Sequence, residues 1–94
     1  MQLILIHKER KTTKTKEPYY ELHFEYPDGS KKVRYWVWSF VHNSTNHLTE
    51  VWEAAEKSSV GTLYNLQFRK AVISNRVQFV VTVLEDATKP ITYL

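Results

Sequence analysis

Cysteine is absent from the 94 residues and glycine occurs only twice. Without cysteine the chain has no disulfide framework and no thiolate metal site. It must be held by its own core, which fits a reducing, cytoplasmic setting. Two glycines cannot build a Gly-rich phosphate loop, and no serine sits in a nucleophile elbow. The four histidines, His7, His23, His42 and His47, lack metal-ligand spacing and no acidic partner is evident for them, so each reads as a surface or loop residue. These absences argue against an enzyme, a metal or any other cofactor. Long apolar runs are missing too. Leu3 to Ile6 is too short for a signal peptide or a membrane span, and nothing later reaches the ~20 apolar residues that a spanning helix needs.

What is present is apolar and aromatic. A hydrophobic fraction of 43%, with aromatics at 14%, is enough to fold one domain of this length. The net charge of +3 is unevenly placed: residues 1 to 35 carry eight basic groups against five acidic ones, and residues 36 to 94 carry five of each. The whole excess therefore lies in the first third, which suits either a polyanionic partner or plain solubility.

The densest stretch is Lys31-Lys32-Val33-Arg34-Tyr35-Trp36-Val37-Trp38-Ser39-Phe40. Its β-branched and aromatic residues favour a strand. Alternation puts Val33, Tyr35 and Val37 on one face and Arg34, Trp36, Trp38 and Phe40 on the other. Either face is apolar enough to bury. If the first set fills the core, the indoles stand outside beside Arg34. If the indoles are buried, Tyr35 becomes the outward ring, with Tyr19 and His23 as neighbours.

Gln2 to His7 reads as a first strand, followed by a polar loop from Lys8 to Pro18. Tyr19 to Tyr26 alternates cleanly, with Tyr20, Leu22, Phe24 and Tyr26 opposed to Tyr19, Glu21, His23 and Glu25. Pro27-Asp28-Gly29-Ser30 then predicts a tight turn, so this strand pairs antiparallel with the aromatic one. A loop follows at Val41 to Asn46. Asn46 is a candidate N-cap for a helix over 47 to 57, with Leu48, Val51, Trp52 and Ala55 as its apolar stripe, ended by Ser58-Ser59 and Gly61. Thr62 to Ile73 and Arg76 to Leu84 form a second hairpin across Ser74-Asn75. Tyr64, Leu66 and Phe68 share a face of its first strand, and Val77, Phe79, Val81 and Val83 share a face of its second.

Three strands, a helix and two strands, with a basic loop after the first strand, predict a mainly β fold. The order is that of the five-stranded Greek-key OB-fold barrel with one α-helix between strands three and four. The domain would span 1 to 86, with a short tail at 87 to 94. Lys-Glu-Pro-Tyr-Tyr-Glu-Leu-His-Phe at 16 to 24, followed by the aromatic third strand, resembles the small single-stranded-DNA-binding proteins of phages and plasmids, including gene V-type proteins and primosomal protein N. The resemblance covers about residues 2 to 85 and lies in layout and aromatic placement.

That resemblance implies phosphate contacts from Lys11, Lys14 and Lys16, base or backbone contacts from Arg34, Trp36 and Trp38, with Tyr19 beside them, and Arg76 flanking the groove from the second hairpin. It implies single-stranded DNA or RNA as partner, no membrane, and a homo-oligomer, most simply a dimer, acting in replication or recombination of a phage or mobile element. Two features depart from the pattern. Pro90 to Leu94 lacks an acidic tip, and Glu21 and Glu25 sit where they would repel phosphate. The alternative reading is a small inhibitor or adaptor of similar origin whose exposed aromatics anchor a protein partner.

Overall fold

A computed structural model describes residues 1–38, 47–73 and 75–87. It contains strands β1 (Gln2–Thr12), β2 (Pro18–Glu25), β3 (Lys32–Trp38), β4 (Leu63–Ile73) and β5 (Arg76–Asp86), and helix α1 (His47–Lys57) between β3 and β4. The strands close into a barrel in the order β1-β2-β3-β5-β4, with β4 returning to β1. All pairings are antiparallel except β3 with β5. This is the strand order and helix position of an OB-type barrel, as the order of elements along the chain predicts.

The β2–β3 hairpin forms where the turn residues require it. Gly29 takes a φ of 75°, the left-handed region that glycine enters without steric cost. Its N–H donates to the Tyr26 carbonyl at 2.8 Å, and the Ser30 N–H donates to Asp28 Oδ1 at 2.8 Å. The turn sets the register Phe24↔Val33, Leu22↔Tyr35 and Tyr20↔Val37, so one face of each strand enters the core together. Leu3, Leu5, Leu22, Phe24, Val37, Leu66 and Val81 are almost wholly buried there, and the Tyr35 and Phe68 rings stack at 4.5 Å.

Two β-bulges break the simple alternation. In β1 the register slips at Ile6, from Leu5↔Phe24 to His7↔His23. Leu3 and Leu5 point inward before the bulge; beyond it, Lys8 and Arg10 take the inner side and His7, Glu9 and Lys11 the outer. The expected Lys8 to Pro18 loop is thus mostly strand: β1 continues to Thr12, because β2 offers it ladder partners as far as Pro18. Only residues 13 to 17 form the connection. It is a tight turn in which Thr13 exchanges backbone hydrogen bonds with Lys16 and Glu17, and Lys16 takes a φ of 65°. In β5 the register slips past Thr82, pairing Gln67 with Val83 and Phe68 with Val81. Leu84 therefore replaces Val83 on the inner face, and the expected row Val77, Phe79, Val81, Val83 holds only as far as Val81.

Helix α1 closes one end of the barrel with Val51 and Ala55, as its spacing predicts. Its C-terminus is tied to β1: Lys8 Nζ donates to the carbonyls of Glu56 at 2.9 Å and Ser58 at 3.1 Å. Burial lowers the Lys8 pKa, partly offset by the Glu56 charge. Arg10 lies over the Tyr20 and Trp52 rings at 6.0 and 5.9 Å. Lys8 and Arg10 thus support the helix, which removes them from the basic loop. Phe40, the Val41 to Asn46 loop, the Asn46 cap and the tail from 88 onward fall outside the described residues.

Candidate functional site

Beyond the bulge, the outer face of β1, β2 and β3 is built by alternation. β1 contributes His7, Glu9 and Lys11; β2 contributes Tyr19, Glu21 and His23; β3 contributes Lys32, Arg34, Trp36 and Trp38. The ladder places Glu9 beside Glu21 and Glu21 beside Trp36. Val37 and Tyr35 take the core side, so of the two open arrangements of the third strand, the one with the indoles on the outer face is the one formed.

Glu21 is the centre of this face. It is 6% exposed, and three cationic or protonatable groups surround its carboxylate: Lys11 Nζ at 3.0 Å, Arg34 at 3.2 Å and His23 Nε2 at 3.6 Å. Burial is the largest single influence on the Glu21 pKa and pushes it up. The hydrogen bond from Lys11 and the charges of Lys11 and Arg34, with His23 close by, together outweigh it, and hold the group below its ordinary 4.5. The Lys11 pKa rises in turn, mainly through the hydrogen bond to Glu21. Glu9 adds a second carboxylate to Lys11 at 3.6 Å, and His7 meets the His23 ring edge-on at 5.0 Å.

This cluster predicts an acid-sensitive contribution to stability. A carboxyl whose pKa is depressed by folding stabilises the native state above its unfolded pKa, and that stabilisation is lost as pH falls through the folded value. The urea midpoint of the wild type is expected to decline below pH 4.5 more steeply than that of Glu21→Gln, so that the two curves converge in acid. A gap between them that stays constant through the acid range would contradict the assignment.

The aromatic groups divide into two kinds. Trp36 is partly exposed, with the Arg34 guanidinium carbon 4.9 Å from its ring centre. Trp38 is on the same outer face but only 8% exposed, and its ladder partner Tyr19 stacks on it at 4.5 Å with the planes 28° apart. The expectation of two bare indoles is corrected accordingly: the face presents Trp36 and the outer side of the Tyr19–Trp38 pair.

The predicted cations also separate. Lys11 and Arg34 are engaged with Glu21, so Lys11 belongs to a strand and not to the loop. Lys14 and Lys16 stand exposed on the 13–17 turn, beside the Tyr19–Trp38 end of the face. Arg76 is exposed at the start of β5. It lies on the β4–β5 hairpin beyond Val80, the residue at which β5 meets β3, while Lys32 stands exposed at the start of β3, at the opposite end of the face from Lys14 and Lys16. Among the described residues, no ion pair holds Lys14, Lys16, Lys32 or Arg76. Lys32 is not among the site residues that the resemblance implies, and Glu21 enters there only as a source of repulsion. The signal for both was parity, since Lys32 falls on the same strand face as Trp36, and Glu21 falls on the same face as Arg34.

The outer face thus offers flat rings at its middle, a charge-balanced cluster beneath them and unpaired cations at each end. No protein-family model matches the chain, and comparison with curated proteins and with solved structures finds no match.

Proposed function

We propose that this chain binds single-stranded DNA, largely without regard to sequence, on the outer face of β1, β2 and β3, and that it serves replication or recombination of a phage or mobile element. The observation that carries this reading is Trp36, outward on a central strand beside Arg34, with exposed cations at both ends of the face. An unpaired base can lie on the Trp36 ring, and a second on the Tyr19 side of the Tyr19–Trp38 stack. Each stacked base contributes ~1–3 kcal/mol and every base has a π-face to offer, so little sequence preference is expected. Lys14, Lys16, Lys32 and Arg76 would meet phosphates. Lys11, held between Glu9 and Glu21, and Arg34, paired with Glu21, contribute less.

The salt dependence follows from that division. Each phosphate neutralised on a single strand adds ~0.7 to the slope of log affinity against log salt. Four cations predict a slope of about −3. Titration with oligo-dT, read by tryptophan fluorescence across a salt series, tests this. Quenching with a slope near −3 is the expected result. An unchanged emission at low salt, or a flat slope, overturns the reading in favour of a protein-directed role. Adding oligo-U as competitor in the same titration ranks RNA against DNA.

A further inference from the structure

The outer half of the β4–β5 hairpin leaves the barrel. β1 pairs with β4 only over Leu63 to Asn65, and β3 meets β5 at Val80, so the residues beyond form a two-stranded arm. Ladder pairs Lys70↔Phe79 and Val72↔Val77 lie on one face of it. That face is apolar and open: Val72 is 72% exposed, Val77 57% and Phe79 41%. The arm is also cationic throughout. Arg69, Lys70 and Arg76 are exposed, and no acidic residue occurs between Glu56 and Glu85.

The complement lies at the other end of the same hairpin. Glu50, Glu53 and Glu56 recur at three-residue spacing along α1 and are all exposed, so they share one flank of the helix. The turn that leads from this helix into β4 carries Val60, 59% exposed. Nine residues of β4 separate Leu63, just after that turn, from Val72 on the arm, a run of about 30 Å at strand rise. Val60 and the apolar face of the arm in one chain therefore cannot touch each other.

We propose that the arm of one copy docks on the acidic flank of α1 and the Val60 turn of the next, so that the chain assembles head to tail. The match is electrostatic and apolar together: Lys70 with Arg69 and Arg76 against Glu50, Glu53 and Glu56, and Val72, Val77 and Phe79 against Val60. A contact between two different patches does not close on itself as a two-fold dimer does, and it propagates along a line unless its rotation completes a ring. An isolated two-stranded ribbon with an open apolar face is a marginal structure alone, and docking would shield it. The inference goes beyond the nucleic-acid reading and does not need it.

The test is sedimentation velocity of the full chain without nucleic acid, over a concentration series at low and high salt. The expected result is a mean mass that grows with concentration past the dimer and falls as salt rises. Lys70→Glu and Glu53→Lys, both at exposed positions away from the core, should each weaken association roughly tenfold by placing like charges together. The double variant, which reverses the pair, should recover most of the loss. A monomer at every concentration, a dimer that neither substitution disturbs, or single losses that the double variant fails to recover overturns the proposal. Unchanged mass with weakened oligo-dT binding in Lys70→Glu also overturns it, by giving the arm to the polynucleotide. That outcome leaves the nucleic-acid reading intact, whereas a flat oligo-dT titration with normal assembly fails only that reading.

Discussion

Phe24→Ala is expected to destabilise the barrel by about 3–5 kcal/mol, the range for emptying a buried aromatic site. Phe24 has no exposed surface, occupies the inner face of β2 opposite Val33, and packs its ring 6.0 Å from that of Tyr35. A domain of this length has a total stability of roughly 5–14 kcal/mol. The variant would therefore lose between about a fifth of that margin and all of it. In urea, with a slope of about 2 kcal/mol per molar, the midpoint should fall by about 1.5–2.5 M. Val72→Ala is the control on the exposed arm and should stay within about 0.5 kcal/mol of the wild type. Far-UV circular dichroism through a urea series measures both. Equal midpoints for the two variants would contradict the inner face assigned to β2.

The β2–β3 hairpin was legible in the sequence because every local signal agreed. Alternation from Tyr19 to Tyr26, the Asp28-Gly29 turn and the β-branched run after it all specify one register, and the structure has that register. The ambiguous step was which face of the third strand turns inward. Alternation divides Val33, Tyr35 and Val37 from Trp36 and Trp38 but carries no information about which group a barrel will enclose. The partner strand decides it: Leu22 and Phe24 have no polar atoms and lie opposite Tyr35 and Val33, so the core must form on that side.

The bulges were not legible, and they displaced the site residues. A single extra residue at Ile6 reverses the parity of everything after it in β1. It converts Lys8 from a loop cation into a cap for α1, and brings Lys11 to Glu21. The polar run Lys8 to Lys16 looks like loop because strand propensity is weak in Lys and Glu. As far as Thr12 it forms strand nonetheless, because β2 supplies a ladder of partners and the outer face tolerates charge. Trp38 departs from the two-indole expectation for a different reason. Its parity was right, but a ring at a strand end can be covered by its cross-strand neighbour, and Tyr19 does so.

Glu21 links these observations to binding. A buried carboxylate on the proposed binding face looks unfavourable for a polyanion, yet it holds two cations in defined positions on a surface where long side chains otherwise lose entropy on ordering. Its charge cancels one of theirs locally, which in the proposed complex would limit nonspecific attraction and leave stacking to supply more of the affinity. The rings, more than the charges, therefore carry the test of the proposed interface.

Trp36→Ala is accordingly expected to weaken oligo-dT binding by the value of one stacked base, ~1–3 kcal/mol or roughly 5- to 150-fold, with little change in stability. The chain has three tryptophans, and their environments separate the signals. Trp52 lies against Tyr20, 4.9 Å away, among the residues packed on the core, so its emission should respond weakly to ligand. Trp38 is shielded by Tyr19. Most of the quenching on binding should therefore disappear with Trp36. Trp38→Ala should behave otherwise, lowering stability and binding together, because it removes a buried ring and the support under Tyr19. Fluorescence titration and urea unfolding of the two variants measure this contrast. If Trp36→Ala keeps wild-type affinity and wild-type quenching, bases do not reach the centre of this face, and the route of the strand must be sought away from β3.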